Sequence, residues 1–152
     1  MDTHYYNIDV KWEQGRRGTL TSPVLSEPIK VATPPEFAKG EPNIWSPEHL
    51  YTAAVNSCLM TTFLAIAENS KLDFVSFDST ATGKLEKVDN TLMISEIELK
   101  PKVVLRNEKD KERALRIIEK SEKACLISNS IKSKIVLSPE VIISEREEYA
   151  SL

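Results

Sequence analysis

The stretch "SPEHLYTAAVNSCLMTTFLAIAENS", Ser46 to Ser70, constrains this chain more than any other. It reads as one long helix. Ser46 is a good N-cap, Pro47 takes the first helical position, where its missing N–H is no loss, and Glu48 suits the positive end of the dipole. From Leu50 to Ala67 the apolar residues spread too widely round the helix for a surface stripe. A helix apolar on most sides is buried on most sides, so sheet must wrap it or a second subunit must cover it. Glu48, His49, Asn56 and several threonines interrupt the run, which argues against a membrane span.

The remaining segments supply strands and one more helix. Tyr5 to Trp12 alternates with Tyr6, Ile8, Val10 and Trp12 in one register and reads as a strand. "EQGRRG" is a turn with two adjacent arginines, followed by short strands near Thr19–Thr21 and Pro28–Ala32. Residues 33–45, "TPPEFAKGEPNIW", hold three prolines and a glycine and form a loop. Residues 75–88 and "TLMISEIELKPKVVL" read as a hairpin about Asp89–Asn90, with Pro101 marking an edge or a bulge. Residues 109–124 are an amphipathic helix with Ala114, Ile117, Ile118 and Ser121 inward, and Cys125 falls at its end. "LISNSIK" is a short connection, and Lys134–Leu137 and Val141–Ile143 are final strands broken at Ser138-Pro139. The order predicts an α+β fold with a largely antiparallel sheet wrapped around the long central helix.

At 152 residues the chain has the length of a single domain, residues 1–152, with a core that needs no staples. A net charge of −3 gives no basic footprint for nucleic acid. "MDTHYYNIDV" lacks the basic and apolar regions of a signal peptide, so the expected location is cytoplasmic, with no membrane partner. The chain has two cysteines, Cys58 and Cys125. In a reducing cytosol a cysteine pair is more often redox-active or metal-binding than structural. His4 and His49, the two histidines, have no zinc-like spacing to either cysteine, so redox chemistry is the stronger branch.

A cysteine on an apolar helix is usually an inert, small hydrophobe. Cys58 becomes a nucleophile only if a cation or a helix N-terminus lowers its pKa. Positions 54, 55, 61 and 62 are Ala, Val, Thr and Thr, so an activating charge comes from elsewhere, with Arg16 and Arg17 the obvious donors. Each has a plainer reading: turn arginines are commonly solvated, Glu48 is a first-turn dipole residue, and Cys125 is a helix-end core residue. Cys125 follows Cys58 by 67 positions, and the sequence alone does not bring the sulfurs together.

"WSPEHLYTAAVNSC" resembles the SPE-x-L-x-x-A-x-x-x-C segment of the OsmC/Ohr family, the osmotically induced and organic-hydroperoxide-resistance proteins, and "ACLISNSIKSKI" is similar to its second cysteine segment. The resemblance takes in the opening strand, the Gly-Arg turn, the "PPEFAKG" loop and the proline before the second helix. It implies a thiol peroxidase without metal, flavin or other cofactor, acting on organic hydroperoxides and recycled by an external dithiol such as a lipoyl-bearing protein. By position it makes Cys58 the peroxidatic cysteine, Cys125 the resolving one that closes a Cys58–Cys125 disulfide, Glu48 the family glutamate, and Arg16 the family arginine, with Arg17 the alternative. One departure is Leu126, where the family often has proline after the second cysteine.

Physical chemistry agrees with these roles. A guanidinium beside sulfur favours the thiolate and polarises the departing oxygen, and a carboxylate can hold its planar fork. Cys58 follows Glu48 by ten positions, about 15 Å of straight helix, too far for one site. That spacing favours a glutamate serving the thiol of another chain, in the intertwined homodimer the resemblance also implies. Two other readings stand beside this one. One is a small-ligand binding protein of the same fold with idle cysteines; the other is a thioester hydrolase using His49 as base.

Overall fold

The computed structural model describes residues 1–144 and divides into two compact units, Met1–Tyr51 and a second beginning at Thr52. The single-domain reading over 1–152 takes in residues 145–152, which lie outside the described residues.

The first unit is built on an antiparallel sheet of β1 (Asp9–Gln14), β2 (Arg17–Ser22) and β3 (Leu25–Ala32), in that order. The opening strand starts at Asp9 rather than Tyr5, because Asp9 pairs with Thr21 at the far end of β2 and the partner strand stops at Ser22. Alternation in a sequence marks a face but not the length of the strand beside it. Between β1 and β2 the chain reverses over Gly15 and Arg16, with Gly15 at φ +53°, a conformation glycine adopts without steric cost. The loop after β3 folds on itself: Phe37 N–H donates to Pro34 O, Gly40 N–H to Phe37 O, and Glu41 N–H to Thr33 O at 2.9 Å. At Gly40 an added Cβ would lie 1.9 Å from the Pro34 carbonyl oxygen, so the loop closes only around a glycine. The loop ends on β3, where Ala32 N–H donates to Trp45 O at 2.9 Å.

Helix α1 runs from Pro47 to Asn69. Its start is capped as its sequence suggests, with His49 N–H donating to Ser46 Oγ at 3.1 Å and Leu50 N–H to Ser46 O at 2.9 Å. By length and composition α1 alone among the described helices is apolar enough to cross a membrane. Val55, Cys58, Leu59, Phe63 and Ala67 are buried within the chain, but most of the helix is not, so the expected burial on most sides is not met within one chain.

In the second unit β4 (Phe74–Val88) and β5 (Thr91–Leu105) form the long hairpin. Asp89 and Asn90 make its two-residue turn at φ +49° and +69°, the pair of positive values a type I′ connection requires. After β5 come α2 (Lys111–Ala124), β6 (Lys134–Leu137) and β7 (Glu140–Ile143). Both short strands lie parallel to β5, β6 beside Glu96–Leu99 and β7 beside Lys102–Leu105, so this sheet is mixed, with its longest ladder antiparallel.

That arrangement explains Pro101. It is fully buried on a central strand, and the ladder shows no bulge there, so neither expected setting applies. It occupies the gap where β6 has ended and β7 has yet to begin, opposite the Ser138-Pro139 break. Across the hairpin it faces Ser79, to which it has no N–H to give, and the Ser79 carbonyl accepts Asn56 Nδ2 at 2.9 Å. Asn56 thereby ties α1 to β4 two residues before Cys58. The core packs Phe63 and Ala67 of α1 against Val103 and Leu105 of β5, Val141 of β7, and Ala114, Ile117 and Ile118 of α2. The inward face of α2 is thus the predicted one, with Ser121 buried as well.

Two substitutions test these supports by urea unfolding. Asn56→Ala is expected to lower stability by about 1 kcal/mol, since a β4 carbonyl loses its side-chain donor. Gly40→Ala is expected to lower it by roughly 2 kcal/mol or more, because backbone must shift to admit the methyl.

Candidate active site

Cys58 lies on the buried face of α1, one turn after Val55 and beside Leu59. Cys125 terminates α2 in extended conformation (φ −65°, ψ 112°), its N–H donating to Glu122 O at 3.2 Å. Both thiols are free and buried, Cys58 at 9% exposure and Cys125 at 1%. The fold brings them close enough that each thiol affects the ionisation of the other.

Their surroundings push them apart in acidity. Burial opposes ionisation of Cys58, yet hydrogen bonds from the Cys125 thiol, the Ile127 N–H, the Thr62 hydroxyl and the Leu126 N–H outweigh it and lower its pKa. Thr62 Oγ1 stands 3.9 Å from Cys58 Sγ, one helical turn further along. Burial raises the pKa of Cys125, and its hydrogen bond to Cys58 raises it further. Of the two, the helix thiol is thus the more readily ionised. The groups that lower the Cys58 pKa here are neutral donors, whereas the sequence argument looked for a guanidinium.

Arg16 and Arg17 belong to the first unit, where their settings differ. Arg16 is exposed on the β1–β2 turn and lines an open cleft with Gln14, Gly15, Lys39 and Glu41. Arg17 opens β2, half-buried, and its Nη2 pairs with Glu41 Oε1 at 2.7 Å. Its Nε is buried without a hydrogen-bond partner. The carboxylate holding an arginine in this unit is thus Glu41, delivered by the "PPEFAKG" loop. Glu48 is half-buried in the first turn of α1. His49, the alternative base, has Nδ1 2.6 Å from Ser46 Oγ and its ring edge-on to Trp45, so it serves the helix cap. Among the described residues no group of three or more His, Cys, Asp or Glu is arranged to hold a metal.

Sequence reasoning gave no role to Thr62, Ile127 or Glu41, and noted Leu126 only as a departure from the family pattern. Thr62 carried a signal, since it stands four residues after Cys58 on the same helix face. The two amides carried none, because every residue but proline has an N–H and only the fold decides where it points.

Comparison with known proteins gives the family and the fold. Residues 40–140 match the family model described as OsmC-like protein. The uncharacterized protein YmaD of Bacillus subtilis is 23% identical over 148 residues, covering 94% of this chain and 97% of its own length. Among solved structures, an OsmC-like protein of unknown function from Vibrio cholerae superposes with a TM-score of 0.82 at 20% identity, covering 90% of this chain and 99% of that one. An organic hydroperoxide resistance protein from Elizabethkingia anophelis gives a TM-score of 0.69 at 23% identity, with 96% and 100% covered. The α+β fold is the fold of these structures. With two thirds of its length matched, including both cysteines, the chain belongs to the OsmC-like protein family.

Proposed function

We propose that this protein is a cysteine-based hydroperoxide reductase. The observation that carries the reading is the pair of free, buried thiols that influence each other's ionisation, with Cys58 made more acidic and Cys125 less so. Relatives named for organic hydroperoxide resistance support the same class of chemistry.

In the first step the Cys58 thiolate attacks the outer oxygen of the hydroperoxide. A sulfur–oxygen bond forms, the oxygen–oxygen bond breaks, and the departing alkoxide takes a proton to leave as alcohol. Cys58 is then a sulfenic acid, oxidised by two electrons. Cys125 attacks that sulfur, the sulfur–sulfur bond forms, and hydroxide departs and takes a proton to become water. An external dithiol, of which a lipoyl-bearing protein is one example, returns two electrons and restores both thiols. Val55 and Leu59, buried apolar residues near Cys58 on α1, suit an organic substrate better than hydrogen peroxide.

Arg16 is proposed to stabilise the departing oxygen and Glu48 to orient it, with Arg17 the alternative. Arg17 already has a carboxylate partner in Glu41, which favours Arg16 as the arginine available to substrate. The working form is proposed to be a cytoplasmic homodimer. Tyr5, Tyr6, Ile8, Val10 and Trp12 are all exposed in the isolated chain, as are Met60 and Leu64 on α1, more apolar surface than a monomer ordinarily presents.

Cumene hydroperoxide added to the reduced protein is expected to consume both thiols and leave an intramolecular disulfide on a non-reducing gel. Cys58→Ser should abolish peroxide consumption, and Cys125→Ser should leave a sulfenic acid trapped by dimedone. Thiols that survive excess hydroperoxide would favour a binding role instead. Arg16→Ala should slow oxidation by at least ~10-fold, the scale of losing one charge-stabilising donor; an unchanged rate with a crippled Arg17→Ala would reassign that role.

The pKa directions give a second prediction. The Cys58 thiolate becomes populated at a lower pH than that of Cys125, so iodoacetamide should label Cys58 first as pH rises. Peptide mass spectrometry across a pH series reads the order, and earlier labelling of Cys125 would contradict the assignment of roles.

A further inference from the structure

Ser57, Thr61 and Thr62 lie within about one turn of Cys58 on α1, and the first two turn their hydroxyls back to the helix. Ser57 Oγ donates to Ala53 O at 2.8 Å, and Thr61 Oγ1 donates to Cys58 O at 3.1 Å. A carbonyl three or four residues back is the ordinary partner of a helical hydroxyl. Thr62 departs from it: its Oγ1 stands 3.9 Å from Cys58 Sγ, within reach of a sulfur hydrogen bond. The carbonyl four residues before Thr62 is that of Cys58. Its two lone pairs are already taken, one by the helical N–H of Thr62 and one by Thr61 Oγ1. Side chains on a helix lean toward its N-terminus, so the half-buried hydroxyl at position 62 lies over the sulfur one turn earlier.

We propose that Thr62 is a further catalytic residue, its hydroxyl accepting a hydrogen bond from the Cys58 thiol and donating one to the thiolate. A hydroxyl can do both, because it carries a proton and lone pairs and rotates to suit its partner. The contact therefore survives ionisation, and it is stronger to the anion than to the neutral thiol. The lowered pKa of Cys58, to which this hydroxyl contributes, agrees in direction. Charged groups on α1 itself are remote: Glu48, His49 and Glu68 lie nine or ten positions from Cys58, roughly 15 Å along the helix. From the other elements, Cys125 at the end of α2 is the titratable group that acts on Cys58. The catalytic part rests on the peroxidase reading, whereas the contact between hydroxyl and sulfur does not.

A thiolate steadied by a donor is present at lower pH but is a weaker nucleophile once formed. Losing the hydroxyl should thus slow Cys58 near neutrality, yet leave it as fast or faster where the thiol is fully ionised. A mere packing defect has no reason to change its effect in this way with pH.

The experiment follows Cys58 in the full chain against pH by peptide mass spectrometry, with iodoacetamide and with cumene hydroperoxide as probes. It compares wild type with Thr62→Val, Thr62→Ser and Thr61→Val. Valine keeps the branched shape and removes the hydroxyl. Thr62→Val should react roughly 2- to 5-fold more slowly near neutrality with both probes, the scale of a weak hydrogen bond, and no more slowly than wild type at alkaline pH. Thr62→Ser should recover most of the loss, and Thr61→Val should follow wild type, since its hydroxyl serves the carbonyl. Coincident wild-type and Thr62→Val profiles would overturn the proposal, as would an equal slowing at every pH or one matched by Thr61→Val. If circular dichroism shows Thr62→Val unfolded, Thr62→Ala against Thr62→Ser makes the same comparison. Wild-type oxidation with no effect at position 62 would leave the peroxidase standing without Thr62. An alkylation shift in a protein inert to hydroperoxide would refute the peroxidase and the catalytic role with it, and sustain the contact alone.

Discussion

Phe63 anchors helix α1 to the sheet of the second unit. Its ring stacks on Phe77 at 4.7 Å between centroids and meets Phe74 edge-on at 5.3 Å, both on β4. It also belongs to the core shared with Val103 and Leu105 of β5 and Ile117 and Ile118 of α2. Aromatic pairs of this geometry add specificity to the burial itself. Because Phe63, Leu59 and Val55 are buried, the helix has one rotational setting, and Cys58 lies on the inward side of it. Cys125 reaches the same place because Ala114, Ile117, Ile118 and Ser121 fix the face of α2 that turns inward. The meeting of two thiols 67 residues apart is thus a consequence of core packing on two helices.

The chemistry of the pair follows from an imbalance in hydrogen bonding. Two buried thiols in a uniform apolar setting would both be hard to ionise. Here hydrogen bonding outweighs burial at Cys58 and lowers its pKa, whereas burial and the neighbouring thiol raise that of Cys125. That difference in acidity suits the nucleophile and the reserve thiol of the proposed oxidation cycle.

Much of this was legible in the chain. The cap at Ser46, the long helix, the Asp89–Asn90 hairpin and the buried positions of α2 follow from local rules of capping, turn conformation and periodicity, and they appear where those rules put them. The "SPE" and second cysteine segments were enough to mark the family. Where the reading slipped, a neighbour decided. The first strand begins at Asp9 because β2 ends, and Pro101 sits on a central strand because two short parallel strands leave a gap beside it.

Sequence alone determined which residues carry chemistry, since cysteine and arginine are marked by type and both cysteine segments by pattern. Tertiary structure decided which groups each one meets. It paired Arg17 with Glu41 within the first unit and gave Cys58 its set of neutral donors in the second. The physical reason is that a side chain's identity is written at one position, whereas the direction of a backbone N–H is set by the packing of everything around it.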